Sequence, residues 1–189
     1  MRRYNLDIVE VYNGHHWATA QCLPKRCYHM KSTVLNRHWY LMGQGKEVYY
    51  ASLDSLVANS QPISVWRRLS DVPHEHSSPA VFGNRLIAIG GTIPLNSSIH
   101  AYLPHTQTWL HVGDMPVELH HTCIAVLTTG ELMLIGNWSS YYLNQSCVYQ
   151  ATLNGNDSLT CENHKTQHDM YMCTYMYQYA HMYNISLMQ

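Results

Sequence analysis

The stretch SPAVFGNRLIAIGG, residues 78–91, decides the fold. Its second apolar run, Leu86–Ile89, does not alternate with polar residues, which is typical of a strand buried on both faces. Gly83-Asn84 separates this run from the first one, and a short turn of these residue types is a hairpin signal. Gly90-Gly91 then supplies backbone positions with positive φ or close approach. The stretch therefore predicts two antiparallel strands joined by a tight turn.

The same unit occurs three times along the chain. Each copy has a Trp followed seven positions later by a Pro, in the pairs Trp17 and Pro24, Trp66 and Pro73, and Trp109 and Pro116. After each Pro come a polar stretch, an apolar run, a short turn and a second apolar run. That second run ends at Gly43, at Gly90-Gly91 or at Gly136. A Tyr-containing strand and a strand with the Trp complete the unit, so each period predicts four short antiparallel strands and no helix.

The unit resembles the kelch repeat, which has an apolar strand, a Gly pair, a Tyr and then a Trp. Gly90-Gly91 and Tyr102-x6-Trp109 match that pattern in full, whereas Gly43 and Gly136 stand in reduced versions of the Gly pair. An insertion of about 51–64 separates the third and fourth strands of the earlier copy. Kelch repeats form the blades of β-propellers, so the resemblance implies an all-β fold built from four-stranded antiparallel blades.

The repeat predicts a propeller segment at residues 7–154 that is incomplete. Two whole blades are expected at about 25–71 and 72–114, and two partial ones at 7–22 and 115–154. Propellers usually close with about 4–8 blades. The chain is therefore interpreted as a fragment of a longer propeller, a degenerate copy, or a chain that completes its ring by association through open blade edges. Residues 155–189, rich in Met, Tyr and His, are predicted to be a tail of low order.

Composition excludes several classes of partner. A formal charge of −1 gives no long-range field for nucleic acid or for an acidic membrane surface. No segment approaches the ~20 consecutive apolar residues of a spanning helix. Six cysteines without a secretory signal favour reduced thiols, so we expect a cytoplasmic protein. No cofactor is expected.

Partner-binding residues are expected on one face of the propeller. Successive antiparallel strands put alternate loops at opposite ends of a sheet, so the loops after each Pro and those after each Gly share one end, and loops on a rigid scaffold carry function. The first set supplies Lys25, Arg26, His74, Glu75, His76, Glu118 and His120, and the second supplies Asn96, Ser97, Asn137, Trp138, Tyr141 and Tyr142. Trp138 and Tyr142 are residue types that often dominate binding energy. The alternative is that these are ordinary solvated turn residues.

The three repeat Trp residues are predicted to pack between sheets, the Pro residues to end strands, and the Gly residues to serve the backbone. The leading hypothesis is a scaffold that binds a protein or peptide, without catalytic or metal-binding residues. The resemblance implies a possible adaptor role. A ubiquitin-ligase link would need BTB and BACK domains, which these 189 residues do not contain. The alternatives are a copper-dependent oxidase-like propeller using Tyr, Cys and His, and a degenerate copy without function.

Overall fold

The computed structural model describes residues 7–12, 14–20, 22–27, 29–57, 65–92, 95–115, 119–126, 132–140, 143–153 and 159–163. Within these residues the chain forms fourteen strands and one short helix. None of the helical structure described there is long and apolar enough to cross a membrane.

The first sheet has only two strands, β1 (Glu10–Tyr12) and β2 (Trp17–Thr19), within the predicted partial blade at 7–22. They pair antiparallel, with Tyr12 opposite Trp17. Val11 on one face packs against the core shared with the second sheet. Tyr12 and Trp17 are exposed. Since side chains alternate along a strand, the first sheet has one covered face and one open face.

The second sheet contains β3 (Lys31–Leu35), β4 (His38–Met42), β5 (Val48–Ser52) and β6 (Arg67–Arg68), paired antiparallel in that order. The turn between β3 and β4 has positive φ at both Asn36 (49°) and Arg37 (59°), the geometry of a tight hairpin, as predicted. Helix α1 (Leu53–Val57) follows β5 and lies within the predicted insertion of about 51–64, whose residues 58–64 lie outside the described part.

The third sheet contains β7 (Ser78–Phe82), β8 (Arg85–Thr92), β9 (Leu95–Leu103) and β10 (Thr108–Asp114). Its hairpin turn has positive φ at Gly83 (54°) and Asn84 (61°), which confirms the prediction. Gly90 also has a positive φ of 61°, and the pairing of β8 with β9 shifts between Ile89 and Gly91, as in a β-bulge. The bulge lets both strands continue past the glycines. Asn96 and Ser97, predicted to lie in a loop, therefore belong to β9.

The fourth sheet contains β11 (Leu119–Val126), β12 (Leu132–Ser140), β13 (Leu143–Leu153) and β14 (Leu159–Asn163). The repeat pattern predicted no strand after 154, because Asn154 stands where the Trp was expected. β14 nevertheless pairs antiparallel with β13, and Leu159 makes one parallel bridge to Gly113 of β10. The predicted turn at 128–130 and the remaining tail, 164–189, lie outside the described residues.

The sheets stack in chain order, with apolar clusters between them. The first strands of successive four-stranded sheets contact one another, β3 with β7 and β7 with β11. Burial falls from β7, which is almost wholly buried, to the outer strand β10, which is mostly exposed. Within the described residues the sheets do not close into a ring. The all-β, incomplete propeller predicted from the sequence is confirmed.

Candidate functional site

The loops after the Pro residues and those after the Gly residues meet at one end of the sheets. Between the second and third sheets they enclose an open cleft of about 550 Å³. We call it the loop cleft. Its lining comes from the segment before β3, the β4–β5 loop, the segment after β6, and one residue each of β5 and β6: Lys25, Arg26, Cys27, Met30, Gly43, Gln44, Gly45, Lys46, Glu47, Tyr49, Arg68, Asp71 and Glu75.

Ion pairs join the segments around the loop cleft. Lys25 Nζ lies 2.8 Å from Glu47 Oε1, so the post-Pro segment is linked to the post-Gly loop. The hydrogen bond and the charge attraction raise the pKa of Lys25, and the same hydrogen bond lowers the pKa of Glu47. Arg68 donates to Asp71 at 2.5 Å. Exposed pairs of this kind add little stability, so their main effect is to set where the charges lie.

The floor of the loop cleft is sulfur-rich. A Cβ on Gly43 would lie 3.0 Å from Met30 Sδ and 3.9 Å from Cys27 Sγ, so glycine allows close approach here. Burial raises the pKa of the Cys27 thiol, which keeps it protonated at neutral pH. A protonated thiol is a poor nucleophile. The geometry thus suits packing against a bound group better than attack on it.

In the third sheet, the segment after the Pro likewise contacts the end of the second strand, at Gly91. The Ser77 hydroxyl donates to the His74 carbonyl at 2.8 Å and also lies 2.9 Å from the Gly90 carbonyl oxygen. Gly91 packs so closely on His74 and Glu75 that an added Cβ would lie 2.5 Å from His74 Cβ. The segment after Pro73 is therefore fixed against the end of β8, which orients Glu75 at the rim of the loop cleft.

Three histidines form a ladder that runs outward from this segment. The ring centroids of His74 and His100 are 5.7 Å apart, and those of His100 and His111 are 5.4 Å apart. His111 Nε2 lies 3.1 Å from Asp114 Oδ1. Burial, followed by the charges of His111 and His74, lowers the pKa of His100 to about 4, against the opposing effect of Asp114. Burial also lowers the pKa of His74.

The free energy of unfolding is expected to fall as the pH is lowered from about 7 to about 4. In this window the unfolded chain protonates His100 near its ordinary pKa of 6.5, whereas the folded chain resists protonation until about 4. Stability from this group is thus present above the unfolded pKa and lost below it. Urea unfolding at several pH values should show a shallower pH dependence for His100→Gln. The matched control is His105→Gln in the exposed β9–β10 turn, and an equal flattening there would contradict the assignment.

The other predicted partner-binding residues have different placements. His120 in β11 lies opposite Asn137 in β12, and Leu119 lies opposite Trp138, so the fourth sheet also brings a post-Pro residue beside a post-Gly residue. Like Asn96 and Ser97, these residues stand in strands and not in loops. His76 follows Glu75 in the described segment, with a positive φ of 58°. Glu118, Pro116, Tyr141 and Tyr142 lie outside the described residues.

The predicted inter-sheet role of the repeat tryptophans holds for two of the three. Trp66 is buried beside Trp39, and Trp109 packs against the core between the second and third sheets. Trp17 is 67% exposed, so the prediction was wrong there. Its strand has no further sheet against its open face among the described residues.

Several residues of the site were missed by sequence reasoning. Glu47, Arg68 and Asp71 were not singled out, because no local pattern ties them to Lys25 or Arg26. The facing of His100 and His111 had a usable signal, since the antiparallel pairing of Tyr102 with Trp109 places these two histidines opposite each other.

A second cleft, of about 480 Å³, lies at the opposite end of the same two sheets. It is lined by hairpin turns and by Tyr40, Tyr50 and Tyr102, of which Tyr40 and Tyr50 are stacked at 5.6 Å. Burial raises the pKa of Tyr40 and Tyr102, so both phenols stay neutral.

The similarity to a known family lies in the third sheet. The family model for the kelch motif matches residues 75–116, which begin at Glu75 in the loop cleft and include all of β7–β10. The chain contains a kelch repeat. No curated protein matches the chain. The kelch match includes the Gly90-Gly91 bulge, the histidine ladder from His100 to His111, and the Tyr102–Trp109 pair, whose ring centroids are 5.2 Å apart. Kelch repeats generally mediate protein–protein binding, so the match supports an interaction role in general terms.

The described residues hold no group of three or more His, Cys, Asp or Glu side chains placed to bind a metal ion. The histidine ladder does not converge on a point, since its rings follow one another across the sheet. The copper-dependent alternative therefore gains no geometric support from the described part of the chain.

Proposed function

We propose that this chain is a protein-interaction module that binds a loop or peptide of its partner in the loop cleft. The observation that supports this most is the convergence of three separate segments of two successive repeats on one open concavity. Cavities formed between rigid elements and rimmed by variable loops are common binding sites. The fixed contacts at Gly43 and Gly91 mean that such a site would be largely formed before binding.

The charges around the loop cleft favour a partner segment that is polar and carries little net charge. Lys25, Arg26, Lys46 and Arg68 line it together with Glu47, Asp71 and Glu75. Two of the cations already face carboxylates within the cleft. An acidic peptide would meet three carboxylates, and a basic peptide would meet four cations. A segment with alternating charges or hydrogen-bonding side chains fits this mixed rim best.

As part of the same proposal, the module acts without catalysis or cofactor, in the cytoplasm, as the recognition part of an adaptor. Cys22 and Cys27 are free thiols, which is typical of a reducing compartment. The raised pKa values of Cys27, Tyr40 and Tyr102 favour their protonated forms, which supports a binding role over a nucleophilic one.

Peptides selected from a random phage-displayed library on the purified chain should bind in the loop cleft. Arg26→Glu is expected to weaken their binding at least tenfold, because it reverses a charge on the rim of the cleft. A loss of about 1.4 kcal/mol would account for that factor. Affinities of the wild type and the variant would be compared by isothermal titration calorimetry.

The matched control is Arg37→Glu at the opposite end of the same sheets. Arg26 and Arg37 side chains are equally exposed, at 73%, and each lies near one carboxylate, Asp7 and Asp54 respectively. Equal losses from both variants, or a larger loss from Arg37→Glu, would place binding elsewhere and contradict the proposal. A purified chain that is unfolded by circular dichroism would instead support a degenerate repeat.

A further inference from the structure

The chain has two equivalent Tyr–Trp pairs that differ in what covers them. Tyr102 and Trp109 lie opposite each other in neighbouring antiparallel strands, with ring centroids 5.2 Å apart. Tyr12 and Trp17 lie opposite each other in the same way, with centroids 5.4 Å apart. In both cases the Trp stands in the last strand of its sheet and the Tyr in the strand beside it. The first sheet therefore presents the same surface element as the third.

In the interior of the stack, the preceding sheet covers the repeat Trp. Trp109 packs against the cluster of Met42, Val48 and Val72, of which Met42 and Val48 belong to the second sheet. Its indole Nε1 donates to the Ser70 carbonyl at 3.1 Å, in the segment after β6. Trp66, directly before β6, is covered likewise, in a cluster with Val9 and Ala20, which lie together at the end of the first sheet away from its turn.

The open face of the first sheet lacks that cover. Trp17 is 67% exposed and Tyr12 is 53% exposed, whereas Trp66 is 7% exposed. Val11, on the other face, already packs toward the second sheet. Adjacent exposed aromatic residues on a sheet face are the residue types that dominate protein interfaces. The junction at Trp109 shows which surface fits such a pair, namely the far face of a four-stranded sheet.

The chain also carries such a far face at the other end of the stack. Leu132 and Leu134 of β12 are buried in the cluster shared with the third sheet. The intervening Met133 faces the other way because side chains alternate. By register, Met133 holds the position of Tyr40 in β4 and of Ile87 in β8, and Ile87 is 2% exposed under the next sheet. Among the described residues no further sheet packs on the fourth one.

We propose that the fourth sheet of a second copy of this chain docks on the Tyr12–Trp17 face, and that the reciprocal contact closes a two-chain ring. The two surfaces differ, so the contact is heterologous. Such a contact gives a closed ring only if the rotations between successive sheets add up to one full turn over the two chains. With the third and fourth sheets, which one bridge joins, counted separately, two copies supply six four-stranded and two two-stranded units. This count falls within the about 4–8 blades with which propellers close. The proposal does not depend on the loop cleft, which each copy carries by itself.

Light scattering coupled to size-exclusion chromatography of the full chain tests this directly. The wild type is expected to elute with twice the mass of one chain. Trp17→Asp is expected to raise the dissociation constant at least about 30-fold for each junction lost, the factor that corresponds to an interface hot spot. Since a closed ring uses Trp17 of each copy once, one substitution removes both junctions. Leu110→Asp, at an exposed apolar residue of β10, should leave the mass unchanged.

Mixing two variants separates this arrangement from a symmetric one. Met133→Asp alone should also give single chains. An equimolar mixture of Trp17→Asp and Met133→Asp retains one intact junction and should form a mixed dimer, detected by native mass spectrometry. A wild type that stays a single chain at about 100 μM, a Trp17→Asp variant that remains dimeric, or a Met133→Asp variant that dimerises like the wild type would overturn the proposal. Circular dichroism confirms that each variant is folded.

Discussion

Trp66→Ala is expected to lower the free energy of unfolding by about 3–5 kcal/mol, the range for removing a buried Trp side chain. Trp66 is 7% exposed, and its ring centroid lies 5.7 Å from that of Trp39. It also belongs to the cluster that includes Val9 and Ala20, which lie together at one end of the first sheet. The substitution would leave a cavity between the first and second sheets. Urea unfolding followed by circular dichroism at 25 °C measures the loss.

Trp17→Ala is the matched control, because Trp17 holds the same place in the repeat. At concentrations where the chain is a single copy, we expect a loss within about 0.5 kcal/mol, as is usual for exposed side chains. Similar losses from the two variants would mean that burial between sheets does not set the contribution of the repeat Trp. A large loss from Trp17→Ala only at high protein concentration would agree with the proposed docking of a second copy.

The difference in solvent exposure between Trp17 and Trp66 shows how far a repeat pattern predicts structure. The Trp-x6-Pro spacing correctly placed the strands, because each copy obeys the same local rules of turn and burial. The pattern identifies which face of a strand needs a cover, but whether a sheet supplies that cover depends on neighbours along the stack. Trp17 has the sequence signal of a buried residue and an exposed environment.

Local turn chemistry was the most predictable level of the fold. Asn36-Arg37 and Gly83-Asn84 both adopt positive φ, as tight hairpins require. By contrast, the repeat pattern did not predict β14, because Asn154 stands in place of the repeat Trp and the remaining signal is weaker. Its sequence, Leu-Thr-Cys-Glu-Asn, alternates apolar with polar residues over four positions, which is typical of a half-buried strand. A strand that has lost its marker can still pair when β13 offers it an open edge.

The candidate site was predictable in position and not in detail. Antiparallel connections dictate that post-Pro and post-Gly segments lie at the same end of a sheet, and the contact between Lys25 and Glu47 across 22 positions follows from that. Which charges face each other depends on loop conformations that no period determines. For the same reason, Asn96 and Asn137 were assigned to loops, although bulged or irregular strands carry the ladder beyond the glycines.

Gly91→Ala is expected to have the second large effect, a loss of about 2–6 kcal/mol in the free energy of unfolding. Gly91 has a φ of +154°, which an L residue with a side chain rarely adopts. An added Cβ would lie 2.5 Å from His74 Cβ and 2.8 Å from the Glu75 carbonyl oxygen. Neither atom is the end of a flexible side chain, so the whole segment after Pro73 must move. Backbone strain and overpacking each cost about 1–3 kcal/mol.

Gly14→Ala separates these two causes. Gly14 also has a positive φ, of +96°, but no atom lies within 4 Å of an added Cβ, so only backbone strain is expected there, about 1–3 kcal/mol. If both variants lose the same amount, close packing of Gly91 on His74 and Glu75 contributes nothing. If Gly91→Ala loses more, the contact fixes the rim of the loop cleft. Selected peptides should then bind that variant more weakly even under conditions where it is fully folded, because Glu75 will have shifted, whereas Gly14→Ala should bind them like the wild type.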